Sequence, residues 1–321
     1  MLFIIAFSLD LIIGDPRSFH PVAITGKLAR ITESLFRKLI SNDYLSGMLT
    51  SFLILFFSGA ASFLLISLLF QINFYAAYAV SAFLFSFTFA VRSMLEHAKK
   101  IKSCLVKGDL SGARTETAKI VGRNTENLSP EDLIRASVES TAESLIDGIF
   151  SPILFGFIGM LLQGPALAVA FAVIYRNANT MDSMFGHKNK KYKMFGWASA
   201  RLDDLLNFIP ARIAFIFILI SSIFRKENHK NCIKIYFRDR NKHPSPNAGQ
   251  SEAAFAGALG IQLGGENEYA EGKERRPFMG DPLEKLVPRH IDRAGALLMI
   301  ASLLLILVCS IPEIIVSVLI R

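Results

Sequence analysis

Acidic and amide side chains in the second half of the chain are spaced so that a helix would bring them onto common faces. Asn179 and Asp182 are three residues apart, Asp203 and Asn207 are four apart, and Asp204 and Asn207 are three apart. Residues at these spacings lie on the same side of a helix. Their oxygen atoms are of the kind that Mg²⁺ takes together with phosphate groups. We therefore expect Asp182, Asp203 and Asp204 to bind Mg²⁺, with Asn179 and Asn207 supporting them.

Cationic side chains in the same stretch could neutralise phosphate charge. Lys188 and Arg201 are close in sequence to these acids, and a guanidinium group can bind two phosphate oxygens at once. The alternative is that these charges only cap helices and form surface ion pairs. That alternative does not explain why Asn207 and Arg212 enter an apolar segment, where polar groups are costly.

A second set of acids lies earlier in the chain. Arg135, Glu139, Glu143 and Asp147 follow one another at intervals of four residues, and residues 127–131 have the Asn, Ser and Pro that are typical of a helix start. Three carboxylates on one helix face repel one another by a few tenths of a kcal/mol per pair unless a cation neutralises them. We expect Glu139, Glu143 or Asp147 to orient a second cation or to act as a base. A solvated helix face is the alternative.

A third polar segment follows the apolar N-terminus. Asp10, Asp15 and His20 lie around a Gly-Asp-Pro sequence at residues 14–16. Two carboxylates and an imidazole at the end of an apolar helix could contact a ligand or a metal at the edge of a membrane. The alternative is a Gly-Pro helix stop with solvated charges.

A fourth segment runs from Arg238 to the glycine pair at 264–265. Prolines and a glycine around His243, Ser245 and Asn247 predict a rigid loop whose backbone amides could face an anion. The Ala/Gly-rich residues after Ser251 and Glu252 predict a close-packed helix that starts at this pair and ends at 264–265. A structured turn without a ligand is the alternative.

The composition indicates what must position these segments. Of 321 residues, 52% are hydrophobic and only 19% are charged, whereas soluble domains have about 25% charged residues. This excludes a disordered chain, a disulfide scaffold, collagen and a coiled coil. The apolar residues form blocks at 1–13, 47–70, 74–91, 149–175, 205–224 and 294–320. About 20 apolar residues span a bilayer, so we expect an all-α, polytopic integral membrane protein with about five or six apolar helices.

The blocks leave some details open. Block 1–13 is too short for a clean crossing, whereas blocks 47–70 and 74–91 predict a helical hairpin. Block 149–175 contains two prolines and three glycines, and is either one tilted helix or two short helices folded back on each other. We expect a single membrane domain over residues 1–321, with polar helical loops that carry the site.

Charge and its distribution bear on partners and location. The net charge of +8 suits an anionic membrane surface and anionic substrates. Basic loops favour the cytoplasmic side, so we expect a multi-pass protein of the cell membrane whose site faces the cytoplasm. No basic patch with interleaved aromatic residues indicates nucleic-acid binding.

The four polar segments, taken in order, resemble the motifs of the CbiB/CobD family, the adenosylcobinamide-phosphate synthases of cobalamin biosynthesis. The resemblance covers the whole chain and includes Asp10 with the segments 14–16 and 20–22, Gly122–Arg123, Glu139, Glu143, Asp147, Asn179–Met184, Ala200–Leu205, Asn207, Pro210–Arg212, Arg238–Asp239, His243–Gly249 and Leu263–Gly265. The chain departs from the family pattern at Asn124, Ser144 and His187.

The resemblance implies a carbon–nitrogen ligase that joins aminopropanol, more specifically its O-phosphate, to the f-propionate of adenosylcobyric acid, with ATP and Mg²⁺. It implies a lipid bilayer and other cobalamin-biosynthesis membrane proteins as partners. On chemical grounds we assign catalysis to Glu139, Glu143, Asp147 and Arg201. We assign substrate or phosphate binding to Asp15, His20, Arg123, Lys188, Arg238, His243, Ser245 and Asn247.

Two other classes of function remain open from the residues. A membrane prenyltransferase also holds Mg-diphosphate on Asn and Asp clusters, but it would have about eight or nine spans. A corrinoid transporter, or a scaffold for a biosynthetic complex, would place polar groups near the middle of broken helices in matched halves. Here the polar groups lie in loops and at helix ends.

Overall fold

Helices make up nearly all of the regular structure. The structure is a computed structural model and describes residues 1–14, 21–187, 189–269 and 272–319, without the side chains of residues 21, 267–269, 273–274 and 316–319. In chain order the helices are α1 (Leu2–Ile13), α2 (Pro21–Leu39), α3 (Asp43–Ile72), α4 (Phe74–Ser86), α5 (Val91–Val106), α6 (Leu110–Thr117), α7 (Pro130–Leu145), α8 (Ser151–Gln163), α9 (Pro165–Phe185), α10 (Trp197–Phe224), α11 (His229–Asp239), α12 (Ala248–Leu259) and α13 (Arg289–Leu319). A π-helical turn, Ile146–Phe150, follows α7.

The prediction of an all-α polytopic membrane protein is confirmed. Within the described residues, five helical stretches are long and apolar enough to cross a membrane: Asp43–Ile72, Phe74–Val106, Pro130–Gln163, Trp197–Phe224 and Arg289–Ile315. The N-terminal helix α1 is apolar but shorter, as its block length predicts. Asn73 alone separates α3 from α4, and its side chain caps α4 by accepting a hydrogen bond from the Ala76 N–H at 2.9 Å.

The block at 149–175 forms two helices. Gly164, with φ +85°, separates α8 from α9, and Pro165 begins the new helix where its missing N–H costs nothing. The two helices pack closely, because a Cβ on Gly159 would lie only 2.4 Å from the Leu167 carbonyl oxygen. The glycines and prolines of this block therefore fold it back on itself.

The prediction for residues 251–265 is wrong in its boundaries. Helix α12 begins at Ala248 and ends before Gly260, which adopts a left-handed conformation that a residue with a side chain would resist. Gly264 and Gly265 lie in a strand, β1 (Leu263–Tyr269), which pairs antiparallel with β2 (Gly272–Met279). Because Glu252 is thus in the second turn of α12, it is buried among packed residues instead of capping a helix end.

The chain forms two compact units. The first unit comprises Met1–Ala90, Ser151–Asn207 and Ile306–Arg321, and the second comprises Val91–Phe150 and Phe208–Leu305. In the first, Phe3 and Phe85 pack edge to face in the core. In the second, Phe150 packs edge to face on Phe217. The single domain over residues 1–321 stays a prediction.

Candidate functional site

A hydrogen-bond network centred on Asp203 lies in the first unit. Asp203 accepts one hydrogen bond on each carboxylate oxygen, from the amide nitrogens of Asn179 (3.2 Å) and Asn207 (2.8 Å). The Asn207 oxygen accepts from the hydroxyls of Ser151 (2.6 Å) and Tyr175 (2.7 Å). We call these five residues the Asp203 network. It connects α8, α9 and the first half of α10.

The Asp203 network explains how a polar side chain is tolerated in an apolar helix. Asn207, Ser151 and Tyr175 are almost completely buried, and buried polar groups are stable only when they are hydrogen-bonded. The amide of Asn207 is engaged on both sides, because its oxygen accepts two hydroxyl donors and its nitrogen donates to Asp203. Asn207 therefore holds Asp203 in position.

The expected magnesium ligands Asp182, Asp203 and Asp204 lie on α9 and α10. Among the described residues, no group of three or more His, Cys, Asp and Glu side chains could hold a metal ion. Nucleotide-bound Mg²⁺, however, needs only one or two protein carboxylates in addition to phosphate and water. The role of these acids as magnesium ligands stays a prediction.

The other residues predicted for this site lie on the same two helices or outside the described part. Asp182 is one turn beyond Asn179 on α9, Asp204 follows Asp203 on α10, and both are half-buried and engaged with other groups. Arg201 lies on α10 and is exposed. Asp15, His20 and Lys188 lie outside the described residues.

A buried ion pair organises a second group of site residues, in the second unit. Arg123 contacts Glu139 Oε2 through Nη2 at 2.6 Å, and the Gly264 N–H donates to Glu139 Oε1 at 2.7 Å. Both side chains are at least nine-tenths buried. With His243, Glu252 and Arg276 they form what we call the Glu139 cluster. Both carboxylate oxygens of Glu139 are thereby occupied by strong donors.

His243 lies in the loop before α12, between two hydrogen-bond donors. The Ser245 N–H is 3.0 Å from Nδ1, and Arg276 Nη1 is 3.2 Å from Nε2. Burial, and then the charge of Arg276, lower the pKa of His243 to about 4, so the ring is uncharged near neutral pH. A neutral imidazole has only one acceptor nitrogen, and therefore it cannot satisfy both donors at once.

Glu252 is the most deeply buried acid of the Glu139 cluster. Its side chain is 1% exposed, and Oε1 lies 3.6 Å from His243 Nε2 with no hydrogen-bond partner among the described residues. Burial, and then the charges of Glu139 and Glu143, raise the pKa of Glu252 well above its ordinary value. Sequence reasoning treated Glu252 only as a helix start. The signal that could have found it is a lone acid in a run of Ala and Gly.

The acidic stripe of α7 does not form one uniform surface. Its helix starts as predicted, because Ser129 caps it in a reciprocal pair with Asp132 and Pro130 occupies the first position. Along the stripe, Glu139 is buried, Glu143 is exposed and Asp147 is half-buried in the π-helical turn. Such turns are frequent at functional sites.

Arg238 lies in a network that fastens α11 to the end of β2. It pairs with Asp239 at 2.7 Å and with Asp281 at 2.8 Å. Asp239 is fully buried and also contacts Lys242 and the Gly280 N–H. Burial by itself would raise the pKa of Asp239, but these contacts outweigh burial and hold the pKa below its ordinary value. An anion that bound Arg238 would have to compete with two carboxylates.

Ser245 and Asn247 shape the loop that leads into α12. The Ser245 hydroxyl accepts from the N–H groups of Asn247 and Ala248, at 3.3 and 3.2 Å. Arg212 Nη1 lies 3.5 Å from the Asn247 side-chain oxygen. Hydrogen bonds thus form within the predicted loop, and its rigidity stays a prediction. Arg276 was missed, because nothing in the sequence distinguishes it from its charged neighbours.

Comparison with known proteins places the chain in a family. The family model described as "CobD/Cbib protein" matches residues 3–298. Proteins named "Cobalamin biosynthesis protein CobD" are similar to the chain: that of Leptospira interrogans is 44% identical and covers 94% of this chain and 93% of its own length. Those of Clostridium perfringens and Listeria monocytogenes are 40% and 37% identical, over 94% and 92% of this chain and 94% and 93% of their own. No solved structure matches. The chain belongs to the CobD/Cbib family, which supports a role in cobalamin biosynthesis.

Proposed function

We propose that the protein is an ATP-dependent amide ligase of cobalamin biosynthesis. It attaches aminopropanol, as its O-phosphate, to the f-propionate of adenosylcobyric acid. The observation that carries this proposal is the Glu139 cluster, in which carboxylates, guanidinium groups and an imidazole from distant parts of the sequence meet in a buried place. Family membership supports the same pathway.

Amide formation from a carboxylate requires activation, because a carboxylate is a poor electrophile. ATP, bound with Mg²⁺, supplies the phosphoryl group that activates it. The protein must then stabilise negative charge and accept a proton from the amine. Arg276 suits the stabilisation of negative charge. Its guanidinium competes with the Ser245 N–H for the single acceptor nitrogen of neutral His243. An anion that bound Arg276 would end this competition.

We further propose that Mg²⁺ and phosphate bind at the Asp203 network. Asp182, Asp203 and Asp204 would hold nucleotide-bound Mg²⁺, and Asn179 and Asn207 would support them through the hydrogen bonds to Asp203. Arg201 and Lys188 would hold phosphate oxygens. The proposal places the protein in the cell membrane with its site on the cytoplasmic side, where ATP is available, and with other cobalamin-biosynthesis membrane proteins as partners.

The experiment that tests the function uses detergent-purified protein, adenosylcobyric acid and ATP–Mg²⁺. The free and the phosphorylated amino-alcohol are supplied in separate reactions, and the mass of the corrinoid product is measured. We expect amide product with the phosphorylated amine, and none without ATP. A protein that forms no ATP-dependent amide with either amine contradicts the proposal and favours a transporter or a scaffold.

Alanine variants test the magnesium side. Asp203→Ala and Asp204→Ala should each lower the amidation rate by about 100-fold or more. Each substitution removes a carboxylate that is proposed to hold the Mg²⁺, which in turn stabilises the charge of the phosphoryl group. Glu126→Gln, at an exposed position, is the control and should keep the normal rate. If both alanine variants keep near-normal rates, the magnesium assignment is wrong.

A further inference from the structure

Glu252 is the acid of the Glu139 cluster whose hydrogen bonding is incomplete. One of its oxygens, Oε1, has no hydrogen-bond partner among the described residues, although the side chain is 1% exposed. His243 Nε2 lies 3.6 Å from this oxygen, beyond hydrogen-bond reach. A buried carboxylate oxygen without a hydrogen-bond donor is unfavourable. A ligand with an N–H group beside Glu252 would provide that donor.

The neighbouring acid, Glu139, is not suited to accept a proton. Its two oxygens already take Arg123 Nη2 at 2.6 Å and the Gly264 N–H at 2.7 Å. Protonation would break a buried ion pair, which is costly. Glu139 is therefore a positioning residue that holds Arg123 and β1 in place. Glu143 is exposed, so water can satisfy its oxygens.

Burial, and then the charges of neighbouring acids, favour the protonated form of Glu252. Glu139 and Glu143 on α7 raise its pKa, in addition to burial, while Arg123 before α7 and Arg276 on β2 oppose them. His243, in the loop before α12, is uncharged at neutral pH because its pKa is lowered. An acid with a raised pKa is a better proton acceptor than an ordinary carboxylate.

We propose, on the basis of the proposed ligase function, that Glu252 is the catalytic residue that accepts a proton from the ammonium group of the amine substrate. Loss of that proton frees the nitrogen lone pair, which forms the C–N bond with the carbonyl carbon of the activated carboxyl group. The C–O bond to the phosphate leaving group breaks, and its electron pair departs with the phosphate. The second proton lost by nitrogen goes to that phosphate, and Glu252 returns its proton to water.

The test compares two nucleophiles in the wild-type protein and in Glu252→Gln. The amino-alcohol phosphate is an ammonium ion near neutral pH and needs a base, whereas hydroxylamine is mostly unprotonated and does not. With ATP–Mg²⁺ and adenosylcobyric acid, the variant should lose about 100-fold or more of its amide rate. Its rate of hydroxamate formation should stay within about five-fold of the wild-type rate. Products are distinguished by mass.

Controls separate the possible failures. Glu126→Gln, exposed in the same unit, should leave both rates unchanged, and Glu252→Asp should recover part of the amide rate because it restores a carboxylate. Equal loss with both nucleophiles in Glu252→Gln overturns the proposal while leaving the ligase function intact. A wild-type protein that forms neither product contradicts the ligase function itself.

Glu252→Asp takes the place of Glu252→Gln in this test if the glutamine variant does not fold. Its shorter side chain moves the carboxylate away from the ammonium group, so Glu252→Asp should lose more of its amide rate than of its hydroxamate rate. Equal loss with both nucleophiles would overturn the role of Glu252.

Discussion

Asn207 forms hydrogen bonds through both the oxygen and the nitrogen of its side-chain amide. Its replacement by Leu should lower the free energy of unfolding by about 1–3 kcal/mol, because the hydroxyls of Ser151 and Tyr175 would lose their acceptor and Asp203 would lose a donor. The measurement is the thermal unfolding midpoint in detergent. Tyr175→Phe removes only one of these contacts and should cost about 0.5–1.5 kcal/mol. An Asn207→Leu protein as stable as the wild type would mean that these hydrogen bonds contribute nothing.

The buried carboxylate of Asp239 predicts a pH dependence of stability. Its pKa is lower in the folded protein than in the unfolded chain, so the stabilisation is present above the ordinary Asp pKa of about 3.9 and is lost as pH falls below it. Asp239→Asn should therefore be less stable than the wild type at neutral pH, and its stability should change less on acidification. Unfolding curves between about pH 7 and pH 3 check this. Parallel curves for the two proteins would contradict it.

At the scale of elements, the contact between α8 and α9 depends on a residue without a side chain. A Cβ at position 159 would lie 2.4 Å from the Leu167 carbonyl oxygen, which is too close for any real contact. Gly159→Ala should therefore force the helices apart and cost about 1–3 kcal/mol, measured by thermal unfolding in detergent.

Gly26 in α2 is a matched control for this prediction. A Cβ there would meet Met184 Sδ at 3.4 Å, which is ordinary contact with a flexible side chain. Gly26→Ala should leave the unfolding midpoint almost unchanged. Equal effects of the two substitutions on the unfolding midpoint would show that the close approach of α8 to α9 does not make position 159 sensitive to a side chain.

At the scale of the whole molecule, α3 should face lipid. Only 11% of its most apolar window is buried within the protein, and Phe57, near its middle, is 61% exposed. Phe57→Arg should hinder membrane integration, because an arginine at the centre of a span costs about 2.5–3.5 kcal/mol. The fraction that resists extraction with alkaline carbonate should fall in this variant and stay normal in Phe57→Leu. Full resistance of the arginine variant would contradict this prediction.

Much of the candidate site follows from spacing along the chain. Asp203 and Asn207 are four residues apart on one helix, and their side chains are hydrogen-bonded as that spacing predicts. The start of α7 at Ser129 and Pro130 is equally local. By contrast, Glu252 was missed, because the burial of an acid depends on which other segments pack around it.

The sequence by itself determined the class of the molecule: where its apolar helices lie, where glycine and proline interrupt them, and which polar residues share a helix face. These properties depend on residues within a few positions of one another, so local geometry and hydropathy are sufficient. The tertiary structure decided which side chains from distant parts of the sequence contact one another. Glu139 meets Arg123 across 16 residues and the Gly264 N–H across 125. Such pairings, and the pKa shifts that burial produces, arise only when distant segments pack together, which no periodicity in the sequence records.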